Sequence, residues 1–262
     1  MNVEKIGIVG LGKLGLPMLA AFIHKGFDVV GYDLNSDLID KLSRGLNPYR
    51  EPGLQEVIDS DPLWPTRFHS SIETFADVAD IFFFIVPTPT SNEIFEISLL
   101  RTALESIGEA VTARSKRSTF VITSTVNPGD TEVLNKALVE QSRGLVKMVY
   151  SPEFIALGSV FEDMLNPDVV LLGGQEGTAV DAIFSIYSRL YNSHPEYHRL
   201  DFFEAETAKL AINTYVTTKI SFANMLGEFV EAHTESRNSA QRVLNAIGGD
   251  SRVGRKYFKY GV

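Results

Sequence analysis

The sequence predicts an α/β fold in which a doubly wound parallel sheet is followed by one long helix. Two observations carry this prediction. Over residues 5–190, short apolar runs alternate with stretches of helical period, as in sheets whose strands are buried on both faces. After about residue 200 the pattern becomes helical without interruption, since residues 203–235 contain no proline and a single glycine.

The apolar runs supply six strand candidates, and helical stretches lie between them. Strands are predicted at Lys5–Val9, Asp28–Tyr32, Ile81–Val86, Thr119–Thr123, Lys147–Tyr150 and Val169–Leu172. Helices are predicted at Leu14–Lys25, Ser36–Arg44, Ile97–Ala113, Thr131–Gln141 and Gly177–Leu190. Each strand is apolar throughout, which predicts helices on both faces of the sheet.

Beyond residue 200 the sequence predicts a separate helical part. Phe203–Glu235 would be close to 50 Å long at ~1.5 Å per residue, and such a helix needs packing partners on more than one side. Ser239–Ile247 forms a shorter helix, which a pair of glycines ends. We therefore expect one domain at 1–200 and a second, partial domain at 201–262.

Composition excludes several classes of protein. Hydrophobic residues make up 44% and charged residues 22%, as in soluble globular proteins. The net charge of −9 argues against a nucleic-acid partner. The longest apolar run is far below the roughly 18 residues of a membrane helix, and no signal peptide is visible. We expect no membrane partner and a cytoplasmic location.

Neither disulfides nor a metal site is predicted. The chain contains no cysteine, so thiolate ligands and cysteine nucleophiles are excluded within these residues. His194 and His198 are four residues apart, but Pro195 lies between them and would break the helix that aligns them. Their surroundings match no metal-binding motif.

A glycine-rich turn follows the first strand candidate. Gly10, Gly12 and Gly15 form G-x-G-x-x-G between that strand and a helix. Glycines there permit a tight turn and close approach of the backbone to a pyrophosphate, which the helix N-terminus attracts. Asp33 ends the second strand at the offset expected of the acid that binds the adenosine ribose, which favours NAD over NADP. The alternative is a tight turn followed by a surface aspartate.

Five further motifs, in order, carry a resemblance to a known family. They are Ile85–Thr90 (I-V-P-T-P-T), Ser124–Gly129 (S-T-V-N-P-G), Ser151–Phe154 (S-P-E-F), Ala205–Asn213 (A-E-T-A-K-L-A-I-N) and Gly249–Gly254 (G-D-S-R-V-G). With the glycine turn, they resemble the nucleotide-sugar (UDP-glucose/GDP-mannose) dehydrogenases. The resemblance implies a Rossmann-like NAD domain, a long central helix that begins a helical dimerisation domain, a UDP- or GDP-linked sugar substrate, and a homodimer through the long helix.

The resemblance implies four catalytic residues: Glu153, Lys209, Asn213 and Thr125. Glu153 would be the acid–base group, acting directly or through water. Its alternative is a solvated loop glutamate. Lys209 and Asn213 are four residues apart on one helix face and could stabilise a developing alkoxide. The alternative is a surface ion pair between Glu206 and Lys209.

The resemblance also implies two binding sets. For NAD they are Gly10, Gly12, Leu14, Gly15, Asp33, Thr88, Thr90, Ser124 and Thr125, although Thr88 and Thr125 could simply close turns before prolines. For the substrate they are Glu153, Phe154, Ile155, Lys209, Asn213, Arg252 and Tyr257. The guanidinium of Arg252 suits phosphate because it donates two parallel hydrogen bonds. The alternative for these last two residues is a solubilising basic tail.

Two departures from the family pattern bear on function. The family's catalytic cysteine lies in a G-x-G-x-G-G-x-C-x-P-K-D segment that is absent here, so we expect NAD binding without the complete reaction. Ala156 and Leu157 replace the arginine and second glutamate of the family's L-R-E-G. The sequence therefore does not decide which UDP- or GDP-linked sugar is the substrate. The competing functions are a non-catalytic NAD-binding assembly protein and another β-hydroxyacid-type dehydrogenase.

Overall fold

The computed structural model describes residues 4–155, 158–175, 177–234 and 238–261. It divides into two compact units, Met1–Thr207 and Ala208–Val262. Within the described residues, the first unit contains ten strands, which are β1 Ile6–Val9, β2 Val29–Tyr32, β3 Phe68–His69, β4 Ile81–Phe84, β5 Thr90–Ser91, β6 Ile94–Phe95, β7 Ser118–Ile122, β8 Val146–Tyr150, β9 Val169–Gly173 and β10 Glu196–Leu200. All six predicted strands are present, with ends that differ by one or two residues.

Across both units, the part of the chain that the structure describes forms ten α-helices: α1 Gly15–His24, α2 Ser36–Ser43, α3 Leu54–Ser60, α4 Ile72–Val78, α5 Ser98–Ala113, α6 Asp130–Gln141, α7 Val160–Leu165, α8 Thr178–Leu190, α9 Phe202–Ala232 and α10 Ser239–Ile247. A 3-10 turn at Trp64–Thr66 precedes β3. The seven predicted helices are all observed, and α9 is the long one. No described helix combines the length and apolar character that crossing a membrane requires.

Eight strands form one sheet in the order β10-β9-β8-β7-β4-β1-β2-β3. Neighbouring strands from β8 to β3 run parallel, and so do β9 and β10. One pair departs from the predicted parallel sheet, because β8 and β9 meet in an antiparallel bridge between Tyr150 and Gly173. The α/β Rossmann-like class is confirmed. β1, β4, β7 and β8 end at a common edge, which we call the carboxyl edge.

The central strands form the core of the first unit. β1, β2 and β4 are buried along their whole length, which explains why their sequences are apolar without alternation. Helices cover both faces of the sheet, because βα units wind to either side of it. Phe82 and Phe84 of β4 each pack against Phe120 of β7, the first edge-on with ring centroids 5.3 Å apart and the second tilted at 4.9 Å.

The second unit has a small core of its own. Ala223 of α9 and Leu244 of α10 pack with Phe258 from the residues after α10, and all three are buried. Lys219 Nζ donates to the carbonyl oxygen of Val253 at 2.8 Å. The residues after 250, in which the sequence shows no pattern, are thereby attached to α9.

A buried ion pair anchors the edge of the main sheet next to β3. The Arg67 guanidinium binds both carboxylate oxygens of Asp61 and donates to the carbonyl oxygen of Val29 at 2.8 Å. The Arg67 and Asp61 side chains are only 10% and 7% exposed. Removing one partner of such a pair leaves the other charge buried without compensation.

We predict that Arg67→Ala lowers the free energy of unfolding by about 3–5 kcal/mol, because the Asp61 carboxylate would lose its partner. The matched control is Arg44→Ala, which removes an exposed pair with Asp40 and should cost no more than ~1 kcal/mol. Urea unfolding monitored by circular dichroism measures both. Equal losses in the two variants would contradict the prediction.

Candidate functional site

The three glycines of the turn differ in their surroundings: protein atoms lie against Gly10 and Gly15, whereas the space next to Gly12 is open. A Cβ on Gly10, where φ is +91°, would lie 2.4 Å from the carbonyl oxygen of Ile85. A Cβ on Gly15 would lie 1.8 Å from the carbonyl oxygen of Gly10. At Gly12 a Cβ would meet no atom within 4 Å. The space over Gly12 is therefore where a ligand can come close to the backbone, which fits the pyrophosphate of a dinucleotide.

Helix α1 begins at this turn without a side-chain cap. Its N-cap residue, Leu14, supplies no hydrogen bond from its side chain, and the first turn of α1 carries no acidic residue. The N–H of Leu16 donates to the carbonyl oxygen of Gly12 at 3.1 Å, and Pro17 has no N–H. The donors that a ligand can use are therefore those of the turn at residues 12–15, and the helix dipole favours an anion there. The arrangement suits phosphate oxygens.

Asp33 fixes the turn from the end of β2. Its carboxylate accepts hydrogen bonds from the N–H groups of Leu11 and Asn35, both at 2.8 Å. The same carboxylate borders a cleft of about 160 Å³, with mostly apolar walls that include Leu34 and Leu99. These two leucines are 80% and 51% exposed. An apolar cleft beside a carboxylate fits an adenine ring with its ribose hydroxyls on the acid.

Hydroxyl groups join the turns after β4 and β7. The buried Ser124 hydroxyl accepts from the N–H of Val86 at 3.0 Å and donates to the carbonyl oxygen of Val86 at 2.8 Å. Thr88 Oγ1 donates to the carbonyl oxygen of Thr125 at 2.7 Å. The Thr88 hydroxyl thus joins two loops and does not close the turn before Pro89. Both hydroxyls connect the loops at the carboxyl edge, which is compatible with further contact to a ligand.

Sequence reasoning missed the side chain that holds the segment after Thr88. Thr90 lies in a two-stranded hairpin formed by β5 and β6. The Asn127 amide accepts from the N–H of Phe95 and donates to its carbonyl oxygen, both at 3.0 Å. The side-chain amide of Asn127, in the S-T-V-N-P-G turn, thus pairs with the backbone of β6 in the way that the backbone of a neighbouring strand does.

The S-P-E-F loop rests on a buried tyrosine. The Tyr187 hydroxyl donates to Ser151 Oγ at 3.1 Å, two residues before Glu153. Burial, and next the negative charge of Glu153, raise the pKa of Tyr187, so its hydroxyl stays protonated. Glu153, Phe154 and Ile155 are half-buried. The two departures in this loop, Ala156 and Leu157, lie outside the described residues.

Glu206 occupies an unexpected position. The side chain is fully buried, and its carboxylate accepts from the N–H of Gly129 at 2.6 Å and of Thr131 at 2.7 Å. It therefore caps the N-terminus of α6, where a negative charge is stabilised. The alternative of a surface ion pair between Glu206 and Lys209 is wrong, because this carboxylate does not reach the surface.

The remaining predicted site residues belong to the second unit. Lys209 is buried, and its Nζ lies 3.5 Å from Oδ1 of the exposed Asn213. Arg252 is exposed and pairs with Asp250 at 2.7 Å, which lowers the pKa of that carboxyl. Tyr257 has φ of +63° and is 43% exposed. Arg252 and Tyr257 are thus accessible to a ligand.

We predict that Gly12→Ala and Gly15→Ala differ in effect. Gly12→Ala should leave the free energy of unfolding within about 0.5 kcal/mol, yet weaken NAD binding at least about tenfold, because a methyl group would occupy the space of the pyrophosphate. Gly15→Ala should cost about 1–3 kcal/mol of stability through overpacking. Calorimetry and urea unfolding measure the two quantities. NAD affinity unchanged in Gly12→Ala would contradict the placement of the cofactor.

Comparison with known proteins agrees with this geometry. A UDP-glucose 6-dehydrogenase of Haloferax volcanii is 29% identical over 266 residues, an alignment that covers 98% of this chain and 61% of that protein. The structure of a UDP-glucose dehydrogenase from Pyrobaculum islandicum superposes with a TM-score of 0.88 at 30% identity, covering 99% of this chain and 60% of that one. The ternary complex of GDP-mannose dehydrogenase from Pseudomonas aeruginosa gives 0.85 at 25% identity, covering 94% and 56%.

The chain thus spans about 60% of the length of these relatives. Two family models match it. The NAD binding domain of the UDP-glucose/GDP-mannose dehydrogenase family matches residues 4–191, and the central domain of the same family matches residues 203–262. Together with the glycine turn and Asp33, these matches show that the chain belongs to the UDP-glucose/GDP-mannose dehydrogenase family and carries its NAD-binding domain.

Proposed function

We propose that the protein to which these residues belong is an NAD-dependent nucleotide-sugar 6-dehydrogenase. It would oxidise the C6 alcohol of a UDP- or GDP-linked sugar to a carboxylate, with water supplying the second oxygen. Two NAD molecules, bound one after the other, would each accept one hydride. The observation that carries the proposal is the open space over Gly12 beside the carboxylate of Asp33, in a chain that retains the family's S-P-E-F and A-E-x-x-K-x-x-x-N motifs. The family match favours this function over another β-hydroxyacid-type dehydrogenase and over a protein that only binds NAD.

Glu153 is the proposed acid–base group. It follows β8 at the carboxyl edge, where ligands lie in open α/β sheets, and the Tyr187–Ser151 hydrogen bond holds its loop. A carboxylate there can take the proton of a sugar hydroxyl directly or through water. Thr125 lies in the neighbouring turn, where its carbonyl oxygen accepts from Thr88. Its hydroxyl is proposed to orient the reacting group.

Lys209 and Asn213 are proposed to stabilise the alkoxide that develops as the hydroxyl is oxidised. Their side chains approach to 3.5 Å, so an ammonium and an amide can act on the same oxygen. Arg252 and Tyr257 are proposed to bind the nucleotide sugar, which suits an exposed guanidinium and a half-exposed phenol.

The second oxidation in the family depends on a cysteine thiolate, and these 262 residues contain no cysteine. A covalent thiohemiacetal would need a side chain from outside them. We therefore propose that the 262 residues bind NAD but do not complete the oxidation by themselves.

We predict that the full-length protein forms two NADH per sugar from one member of a panel of UDP- and GDP-linked sugars, measured by absorbance. Glu153→Gln should lower kcat about 10²- to 10⁴-fold, the usual contribution of a general acid–base group. Glu56→Gln, an exposed glutamate of α3, is the control and should be fully active. The 262-residue chain should form no carboxylate product. Full activity of Glu153→Gln, or carboxylate made by the 262 residues alone, would refute the assignment.

We further propose that two copies associate through α9. Tyr215, Phe222 and Phe229 are spaced seven residues apart, so they lie along one side of the helix, and they are 65%, 47% and 61% exposed. Ile212 and Met225 extend this apolar row. Rows at heptad spacing suit packing of helix against helix, and exposed apolar patches commonly mark interfaces.

We predict a dimeric mass by light scattering at micromolar concentration, and a monomeric mass for the double variant Tyr215→Glu and Phe229→Glu. The control is Thr217→Glu, an exposed residue about 200° around the helix from Tyr215, which should stay dimeric. NAD affinity should be unchanged in all three proteins. A wild-type chain that remains monomeric on concentration would exclude this interface.

A further inference from the structure

A second cavity, of about 290 Å³, shares no lining residue with the cleft beside Asp33. Its lining includes Lys13, which directly follows Gly12 in the glycine motif, and Arg50 from the connection between α2 and α3. Gly158, which follows the S-P-E-F loop, lies on its far side. The whole cavity belongs to the first unit. It therefore adjoins both the turn that holds the cofactor and the loop of Glu153.

The wall that carries Arg50 is held in place by its neighbours. The Tyr49 hydroxyl donates to the carbonyl oxygen of Leu11 at 3.2 Å. Burial, and next the charge of Asp33, raise the pKa of Tyr49, so this donor persists at neutral pH. On the other side, Glu51 Oε1 accepts from the N–H of Phe161 at 3.1 Å. The segment around Arg50 thus connects the glycine turn to the start of α7, which makes the cavity preformed.

The charges in this cavity are unbalanced. Lys13 and Arg50 are both exposed, and neither forms an ion pair or hydrogen bond with another described residue. Among the described residues of the lining, Glu51 is the single carboxylate, and one of its oxygens accepts from the N–H of Phe161 in α7. The chain has 33 acidic and 24 basic residues, so carboxylates are available to form ion pairs with exposed lysines and arginines. Two that remain unpaired beside one cavity favour an anionic ligand.

We propose that Lys13 and Arg50 form a diphosphate clamp, which adds two cations to the neutral N–H donors of the glycine turn. The guanidinium of Arg50 can bind two phosphate oxygens at once, and the ammonium of Lys13 acts as a point charge beside Gly12. The diphosphate is that of the dinucleotide or that of the nucleotide sugar, since the cavity adjoins both loops. The proposal rests on cofactor binding at the glycine turn and names residues outside the predicted binding sets.

The test compares ligands with and without a diphosphate on the 262-residue chain. NAD, adenosine, UDP and inorganic pyrophosphate are titrated into the wild type, Lys13→Ala, Arg50→Ala and Lys13→Arg. The matched control is Arg117→Ala, which removes an exposed arginine in the connection between α5 and β7. Asp33→Ala is the positive control, because it should weaken NAD and adenosine alike.

We expect Lys13→Ala and Arg50→Ala each to weaken NAD binding about five- to tenfold, as charge-assisted hydrogen bonds at an exposed site would. Adenosine binding should be unchanged. The loss should shrink as ionic strength rises, because salt screens exposed charges. Lys13→Arg should restore most of the NAD affinity, which a purely structural role of Lys13 would not explain.

The ligands also separate the two sources of diphosphate. If the alanine variants weaken UDP binding and leave NAD binding unchanged, the clamp holds the substrate. If NAD, UDP and pyrophosphate all bind the variants as they bind the wild type, or if adenosine binding falls equally, there is no clamp. A wild-type chain that binds no NAD would refute the cofactor site, and UDP and pyrophosphate would then decide on the clamp alone.

Discussion

The close approach of the first helix to the first strand determines how the carboxyl edge of the sheet is built. The carbonyl oxygen of Gly10 lies where a side chain on Gly15 would be, so α1 can begin directly over the end of β1. The N–H groups of the turn at residues 12–15 then lie at the amino end of α1, where the helix dipole favours an anion. Leu11, in the turn between them, presents an N–H that Asp33 accepts. A larger residue at Gly10 or Gly15 would push α1 away from β1, and the backbone N–H donors of the turn would move with the helix.

The loops of the site form a connected structure, in which supporting side chains are as important as those that would touch a ligand. Ser124 joins the turns after β4 and β7, and Asn127 extends that connection to the hairpin. Glu206 then attaches the start of α9 to the N-terminus of α6. Each of these bonds fixes a backbone segment through a polar group that is wholly or partly buried. Such bonds are costly to leave unmade, which keeps the loops in one arrangement.

Sequence reasoning predicted the central strands and the glycine turn because their signals are local. A buried strand needs an apolar run, and a pyrophosphate turn needs glycines at fixed spacing. β10 was missed because it is largely polar and exposed, and pairs on one side only, with β9. Glu206 resembles any surface glutamate of a helix, since its partners lie 75 and 77 residues away in the sequence. The position of Ser124 at a strand end does not distinguish a hydroxyl that binds a ligand from one that binds a loop.

The reversal of direction between β8 and β9 affects how readily this fold can change its specificity. In a parallel pair the connection must return to the opposite edge before the next strand begins. Here β9 runs antiparallel to β8, so the connection 151–168 starts and finishes on the side where β8 ends. Glu153 lies at the start of that connection, next to the end of β8, and α7 packs beside α1, where the ring of Phe161 contacts that of His24. Insertions and exchanges in this connection can change the surface around Glu153 while the strand order and the glycine turn stay the same, so the two parts of the domain can evolve separately.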